Sequence, residues 1–212
     1  MTSAPMSGRK AQAARNDELI LQSARAVFTA DPGAPIAAVA EKAGVGISAL
    51  YRRYPSKEAL LQKLCGDGLK LYVAVAQQAM DDEGDPWEAF ASYLRGIVDA
   101  DTNSLTIKLA GTFQPTEELY HDAVRAGDLA TRLHHRAVAA GVLRDDVTVA
   151  DIALLFEQIA SIKLGDEERT SQLRHRYLAL VMDSLRVPPA HRDLPGPAPD
   201  DEELQVRWYP SR

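Results

Sequence analysis

An all-α fold of about nine helices, split into a small N-terminal head and a larger C-terminal body, is predicted by three observations. Apolar residues recur at spacings of three and four along nearly the whole chain. No run of four to eight residues alternates apolar and polar in the manner of a half-buried strand. Charge is also divided unevenly: residues 1–64 carry nine Lys and Arg against five Asp and Glu, a net +4, so the remainder of a chain with net charge −6 holds −10. The 212 residues, 46% hydrophobic and 25% charged, suffice for a buried core and exclude collagen-like, wholly disordered and mini-protein classes.

The first helix is expected over about 17–30, where Ile20, Ala24, Val27 and Phe28 share a face and Asp31-Pro32-Gly33 ends the pattern. Residues 1–15 before it read as a flexible basic arm carrying Arg9, Lys10 and Arg15. Pro35 opens a second helix, because its fixed φ and missing N–H suit a first turn. Ile36, Val39, Ala40 and Ala43 form the buried stripe of that helix, Gly44 supplies the turn, and a third short helix covers 47–53 until Tyr54-Pro55 stops it. Ser56 is a good N-cap for a long fourth helix, with Glu58 in its first turn and Ala59, Leu60, Leu64, Leu71, Val75 and Ala79 carrying the pattern toward Met80. Gly66 and Gly68 inside it each cost about 1 kcal/mol relative to alanine, which suits either a hinge or the close packing of a neighbour.

Gly84-Asp85-Pro86 opens the second set. Helices are expected over 86–100 (Trp87, Phe90, Leu94, Ile97), 104–113 (Leu105, Leu109, Phe113) and 116–140 (Tyr120, Val124, Leu133, Ala137). Two more are expected over 149–164 (Ile152, Leu155, Phe156, Ile159) and 166–186 (Leu173, Tyr177, Leu180, Val181, Leu185). The predicted organisation is therefore an arm (1–15), a head (16–64), a body (65–187) and a Pro-rich acidic tail (188–212) in which only Trp208-Tyr209 could dock.

Two short helices across a glycine turn match the helix-turn-helix, whose second helix enters the DNA major groove while the first crosses the backbone. The residues carry more than the spacing. Ile20, Ala24 and Phe28, then Val39-Ala40-Glu41-Lys42-Ala43-Gly44-Val45, Ala49-Leu50-Tyr51-Arg52-Arg53-Tyr54-Pro55 and Ser56-Lys57-Glu58-Ala59-Leu60-Leu61 together resemble the DNA-binding head of TetR-family transcriptional regulators. The resemblance spans about 16–64, and the later helices agree with that family in number, length and order. It departs at Ala34-Pro35, Gly46 and Ser48-Ala49, where family heads carry Ser or Thr caps and a Gly-Thr pair before Leu-Tyr. Base preference therefore does not transfer.

Tyr51 and Lys57 can reach phosphate oxygens, one through a phenol and one through an ammonium, and the matching family positions do so. Ile47, Ser48 and Ala49 open the recognition helix toward base edges, offering contact to thymine methyls and one hydroxyl. Arg52 and Arg53 suit either phosphate or the edge of a guanine. Arg9, Lys10 and Arg15 suit the backbone or the minor groove.

In the body, the last two helices carry apolar stripes that could meet a two-fold mate as a four-helix bundle, through Ile152, Leu155, Phe156, Ile159, Leu173, Tyr177, Leu180 and Val181. The resemblance implies the same homodimer. Trp87, Phe90, Tyr93, Leu94, Leu109, Phe113, Tyr120, Val124 and Phe156 could line a small-molecule pocket. No cofactor or metal is expected: His134 and His135 diverge by about 100° on a helix and lack the i, i+4 spacing of a zinc face. Cys65, the single cysteine, reads as a buried structural residue. No catalytic constellation is assembled, so an enzyme is not expected. A cytoplasmic protein without a membrane partner is expected, since no stretch approaches a membrane span or an N-terminal signal segment. The resemblance implies a sequence-specific DNA-binding regulator: a homodimeric repressor released from a near-palindromic operator by a small-molecule effector. The alternatives are a ligand-independent regulator or an activator, or an all-α small-molecule carrier or enzyme with a degenerate head.

Overall fold

The computed structural model describes residues 8–101, 105, 109, 111–187, 194–200 and 202–203, and among these described residues eight helices have both ends defined. They are α1 (Gly8–Ala30), α2 (Ile36–Ala43), α3 (Ile47–Arg53), α4 (Lys57–Asp81), α5 (Pro86–Asp99), α6 (Glu117–Ala139), α7 (Val149–Ser161) and α8 (Glu167–Leu185). Leu105 and Leu109 are helical too, inside the segment predicted at 104–113. Among the described residues the one β pairing is a bridge between Leu143 and Arg186. Trp208 and Tyr209 lie outside the described residues.

Side chains set most helix starts. Ser56, Asp85, Thr116 and Asp166 each accept the backbone N–H of the third residue into the helix that they precede. Thr148 and Asp151 form a reciprocal capping box at α7. The exceptions are α2 and α3, entered through Pro35 and Gly46 without any side-chain cap. One start differs from expectation. Helix α1 begins at Gly8 rather than near Asp17, so Arg15 stands on a helix and the backbone of Arg9 and Lys10 is helical instead of a flexible arm. The run Lys-Ala-Gln-Ala-Ala-Arg is made of strong helix formers. It is supported by side-chain bonds from Gln12 to Asn16 (2.8 Å) and from Arg15 to Gln12 (2.9 Å).

Two apolar cores are strung along α4. The upper gathers Ile20, Ala24 and Phe28 of α1, Val39 and Ala40 of α2, Leu50 of α3 and Leu60, Leu61 and Leu64 of α4. Leu105, Leu109, Phe113 and Leu119, far along the chain, complete it. The lower joins Val73, Ala76 and Ala79 of α4 to α5, α6, α7 and α8. Where α5 crosses α4, Gly96 faces Val75 so closely that a Cβ there would stand 2.6 Å from Val75 Cγ1. Gly66 and Gly68 are different: a Cβ would meet only Leu119 Cδ1 at 3.9 Å in the first case and nothing within 4 Å in the second. Close packing is therefore not what keeps those two glycines small.

The predicted body residues do not converge on one cavity. Trp87, Phe90, Tyr93, Leu94 and Phe156 are packed in the lower core, Leu109 and Phe113 in the upper one, while Tyr120 and Val124 are 56% and 55% exposed. The inward face of α6 instead runs through Leu119, Ala126, Leu129, Ala130, Leu133 and Ala137, leaving Tyr120 and Val124 off the buried stripe. A similar offset appears in α8, whose inward face is Arg174, Leu178, Met182 and Leu185. Of the predicted interface residues, Ile152, Phe156 and Ile159 turn into the chain's own core, Leu155, Leu173 and Val181 are half-buried, and Tyr177 and Leu180 are 50% and 57% exposed.

Two arginines, Arg136 half-buried and Arg174 buried, tie the helices together. Arg136 donates to the carbonyls of Ala79 (2.8 Å), Met80 (3.0 Å) and Asp82 (3.1 Å), covering the open end of α4. Arg174 donates to Asp101 Oδ1 (2.8 Å) and to the carbonyls of Ala160 (2.8 Å) and Ile162 (3.3 Å). The carbonyl of the same Asp101, which has φ of 46°, accepts from Arg25 of α1 at 3.3 Å. Cys65 is buried, and burial pushes its thiol pKa up to about 12.

Candidate nucleic-acid interface

Local geometry at the α2–α3 corner follows from Gly44, which takes the left-handed conformation (φ 65°) as the C-cap of α2. Val45 N–H then bonds the Ala40 carbonyl at 3.0 Å, and the Gly46 carbonyl accepts from Ala49 N–H at 2.9 Å to start α3. Of the seven residues of α3 only Leu50 is fully buried. It acts as the nail that fixes the helix to the head, while Ile47, Ser48, Tyr51, Arg52 and Arg53 are exposed and Ala49 is half-buried. Tyr51 is 46% exposed, a large aromatic side chain left on the surface of a small head. Arg52 makes no ion pair or hydrogen bond with the described residues.

The structure separates the expected contact residues into two groups. Ile47, Ser48, Ala49, Tyr51 and Arg52 form the outer surface of α3. Lys57 and Arg53 are engaged within the head. The Lys57 ammonium donates to the carbonyls of Pro32 and Ala34, both at 2.8 Å, and sits 5.0 Å above the Phe28 ring. Two of its three N–H bonds thus brace the α1–α2 loop against the start of α4, where sequence reasoning placed the whole group on phosphate.

Arg53 grips Asp17 with a two-pronged contact: Nε reaches Oδ1 and Nη2 reaches Oδ2, each at 2.8 Å. The Tyr54 hydroxyl donates to the same Oδ1 at 2.7 Å, and its ring is buried in the upper core. The Arg53 hydrogen bond outweighs partial burial and holds the Asp17 carboxyl below its ordinary value, while burial and the adjoining carboxylate raise the Tyr54 phenol. Asp17 was visible in the sequence only as a residue near a helix start. Its partners lie 36 and 37 residues away, and no local pattern marks that pairing. Arg15 faces Gln12 on α1, and the side chains of Arg9 and Lys10 lie outside the described residues.

A braced three-helix head with one exposed helix face has the architecture of a major-groove reader. Comparison with known families agrees. Residues 20–64 match the family model of bacterial regulatory proteins of the tetR family, and residues 85–187 match that of the C-terminal domain of SbtR-like transcriptional regulators. The chain belongs to the TetR family of transcriptional regulators. A TetR regulator from Mycobacterium vanbaalenii shares 28% identity over 84% of this chain and 99% of its own, with a TM-score of 0.54. One from Streptomyces coelicolor shares 26% identity over 82% of this chain and 99% of its own, with a TM-score of 0.55. A TetR-like regulator from Mycobacterium smegmatis, solved in complex with proflavine, has the same fold at 18% identity, covering 78% of this chain and 95% of its own with a TM-score of 0.53. No curated protein matches the chain. As a TetR-family member the protein carries a helix-turn-helix DNA-binding domain in α2 and α3, and no described helix is long and apolar enough to cross a membrane.

Proposed function

We propose that the protein is a homodimeric repressor that binds a near-palindromic operator and leaves it when a small-molecule effector enters the body. The observation that carries the DNA half is the outer face of α3: Ile47, Ser48, Tyr51 and Arg52 face solvent, Ala49 is half-buried beside them, and Leu50 anchors the helix from behind. Ile47, Ser48 and Ala49 meet base edges, and Tyr51 and Arg52 meet phosphate or guanine, with Arg15, Arg9 and Lys10 adding charge along α1. Short side chains at the first positions give modest direct readout, so affinity leans on phosphate contacts and falls steeply with salt.

The dimer half is supported by the second apolar stripe of α8. Arg174, Leu178, Met182 and Leu185 serve the chain's own core, whereas Leu173, Tyr177, Leu180 and Val181 form another face only partly covered. A two-fold mate covers it and sets two heads about one DNA turn, roughly 34–36 Å, apart. For the effector, the lower core offers aromatic walls and two hydroxyls, Tyr72 and Tyr93, that bond each other among apolar neighbours.

The test is selection of genomic fragments by the purified protein beside a Tyr51→Ala/Arg52→Ala variant, followed by salt titration on the best fragment and a screen for molecules that release it. Expected are a near-palindromic site, a steep negative salt slope, loss of binding in the variant and two chains per site. A selected site that the variant binds as well as the wild type would refute the assignment of α3.

A further inference from the structure

We propose that Asp17 is a positioning residue for DNA recognition: one carboxylate on α1 clamps the C-terminal end of α3 through Arg53 and Tyr54, and so sets the angle at which the recognition helix meets DNA. The inference rests on the DNA-binding reading above and deepens it. Helix α3 is too short to hold its own direction. It has seven residues, enters through Gly46 without a side-chain cap, and has Leu50 as its one fully buried side chain, with Ala49 half-buried beside it. A single buried side chain resists lifting of the helix but leaves rotation about that point open.

The clamp removes that freedom. Asp17 receives the last residue of α3 and the residue that caps it, with three hydrogen bonds of 2.7 to 2.8 Å on its two oxygens. A planar guanidinium held at both oxygens fixes orientation as well as distance, which a single ion pair does not. Tyr54 adds a rigid link, since its ring is buried among the upper-core residues while its hydroxyl meets the carboxylate. Arg53 spends two of its five N–H donors on Asp17 and so works through the placement of α3, beside the direct contacts of Tyr51 and Arg52. A negative side chain near bound DNA also opposes phosphate everywhere, so its retention costs nonspecific affinity. A clamp that improves the fit to one sequence over others offsets that cost at the matching site and not elsewhere.

The experiment compares the full-length wild type with Asp17→Asn, Arg53→Lys and Tyr54→Phe on two duplexes, the selected genomic fragment and a scrambled version of equal length, over a potassium chloride series. Thermal melts of each variant accompany the binding curves. Asp17→Asn should lower the ratio of selected to scrambled affinity by about tenfold, with scrambled binding unchanged or tighter, because the obstructing charge is gone. Arg53→Lys keeps the charge but loses the fork, and should lose selectivity without any fall in salt slope. Tyr54→Phe keeps the ring in the core and should show a smaller loss of the same kind. A change of equal proportion on both duplexes in Asp17→Asn, or wild-type selectivity in Arg53→Lys, would overturn the clamp while leaving the regulator intact. A wild type with no preference for any fragment would overturn the regulator reading and the clamp with it.

Discussion

Alanine at position 68 and alanine at position 96 are the same covalent change inside a helix, yet they should move stability in opposite directions. A Cβ on Gly68 of α4 meets nothing within 4 Å, so Gly68→Ala gains the intrinsic helix preference of alanine, about 0.8–1 kcal/mol. A Cβ on Gly96 of α5 stands 2.6 Å from Val75 Cγ1, 3.6 Å from Cγ2 and 3.7 Å from Cβ. Ordinary carbon contacts begin near ~3.5 Å, so the offending methyl must retreat by roughly 1 Å. Val75 is β-branched and stiff at χ1 in a helix, so either it leaves its rotamer or α4 and α5 part. Overpacking of this kind costs about 1–3 kcal/mol, and subtracting the helix gain leaves Gly96→Ala about 0–2 kcal/mol less stable than wild type. Urea unfolding followed by far-ultraviolet circular dichroism measures both, and the double variant Gly96→Ala/Val75→Ala supplies the check. Removing the Val75 methyls should rescue the clash, with a coupling energy of about 1–2 kcal/mol. Equal stability of Gly68→Ala and Gly96→Ala, or a double variant that is merely additive, would refute the close-approach argument.

Three further outcomes follow from buried and half-buried groups. Arg174→Met should destabilise the protein by about 1–3 kcal/mol in the same urea assay, because the hydrogen bonds from its guanidinium to the carbonyls of Ala160 and Ile162 are lost. A change within experimental scatter would show that water replaces the guanidinium without cost. Asp17 has a carboxyl pKa held below its ordinary 3.8, so its contribution to stability is complete above that value and is lost as pH falls through the lower folded-state value. The stability gap between wild type and Asp17→Asn should accordingly hold steady from neutral pH to about pH 5 and narrow below the ordinary carboxylate value; a gap unaffected by acid would count against the pairing. Cys65, with its thiol pKa near 12, should resist a thiol reagent at pH 8 in the native protein and react at once in urea, as absorbance of the released chromophore reports.

The elements were legible in the sequence where a local signal existed. Pro35, Gly44 and the Ser56 cap mark their boundaries through backbone geometry that the residue itself imposes, and each stands at a helix boundary in the structure. The segment before Asp17 is helical where its basic residues suggest an arm, because the alanine and glutamine among them favour helix. Which face of α6 and α8 turns inward was harder. Both helices are apolar on more than one side, and Tyr120, Val124, Tyr177 and Leu180 fit a three-and-four spacing as well as the residues that are buried. For Lys57 and Arg53 the sequence shows a charge suited to DNA but not the partner that holds it in the head. The partners, two backbone carbonyls and one distant carboxylate, come from tertiary placement alone.

Leu105, Leu109, Phe113 and Leu119 lie beyond the chain's apparent boundary at the end of the head, yet they plug the head's core. Chain order and cohesion therefore disagree about where the reader of DNA ends. A fragment stopped after α3 and the first turns of α4 would expose the apolar sockets that these side chains fill, and should aggregate rather than serve as a portable module. Exchange of heads between relatives, in the laboratory or by recombination, must carry this second strip along or find an equivalent one in the recipient. Variation in the strip and variation in the head are in that sense a single inheritance, written in two places.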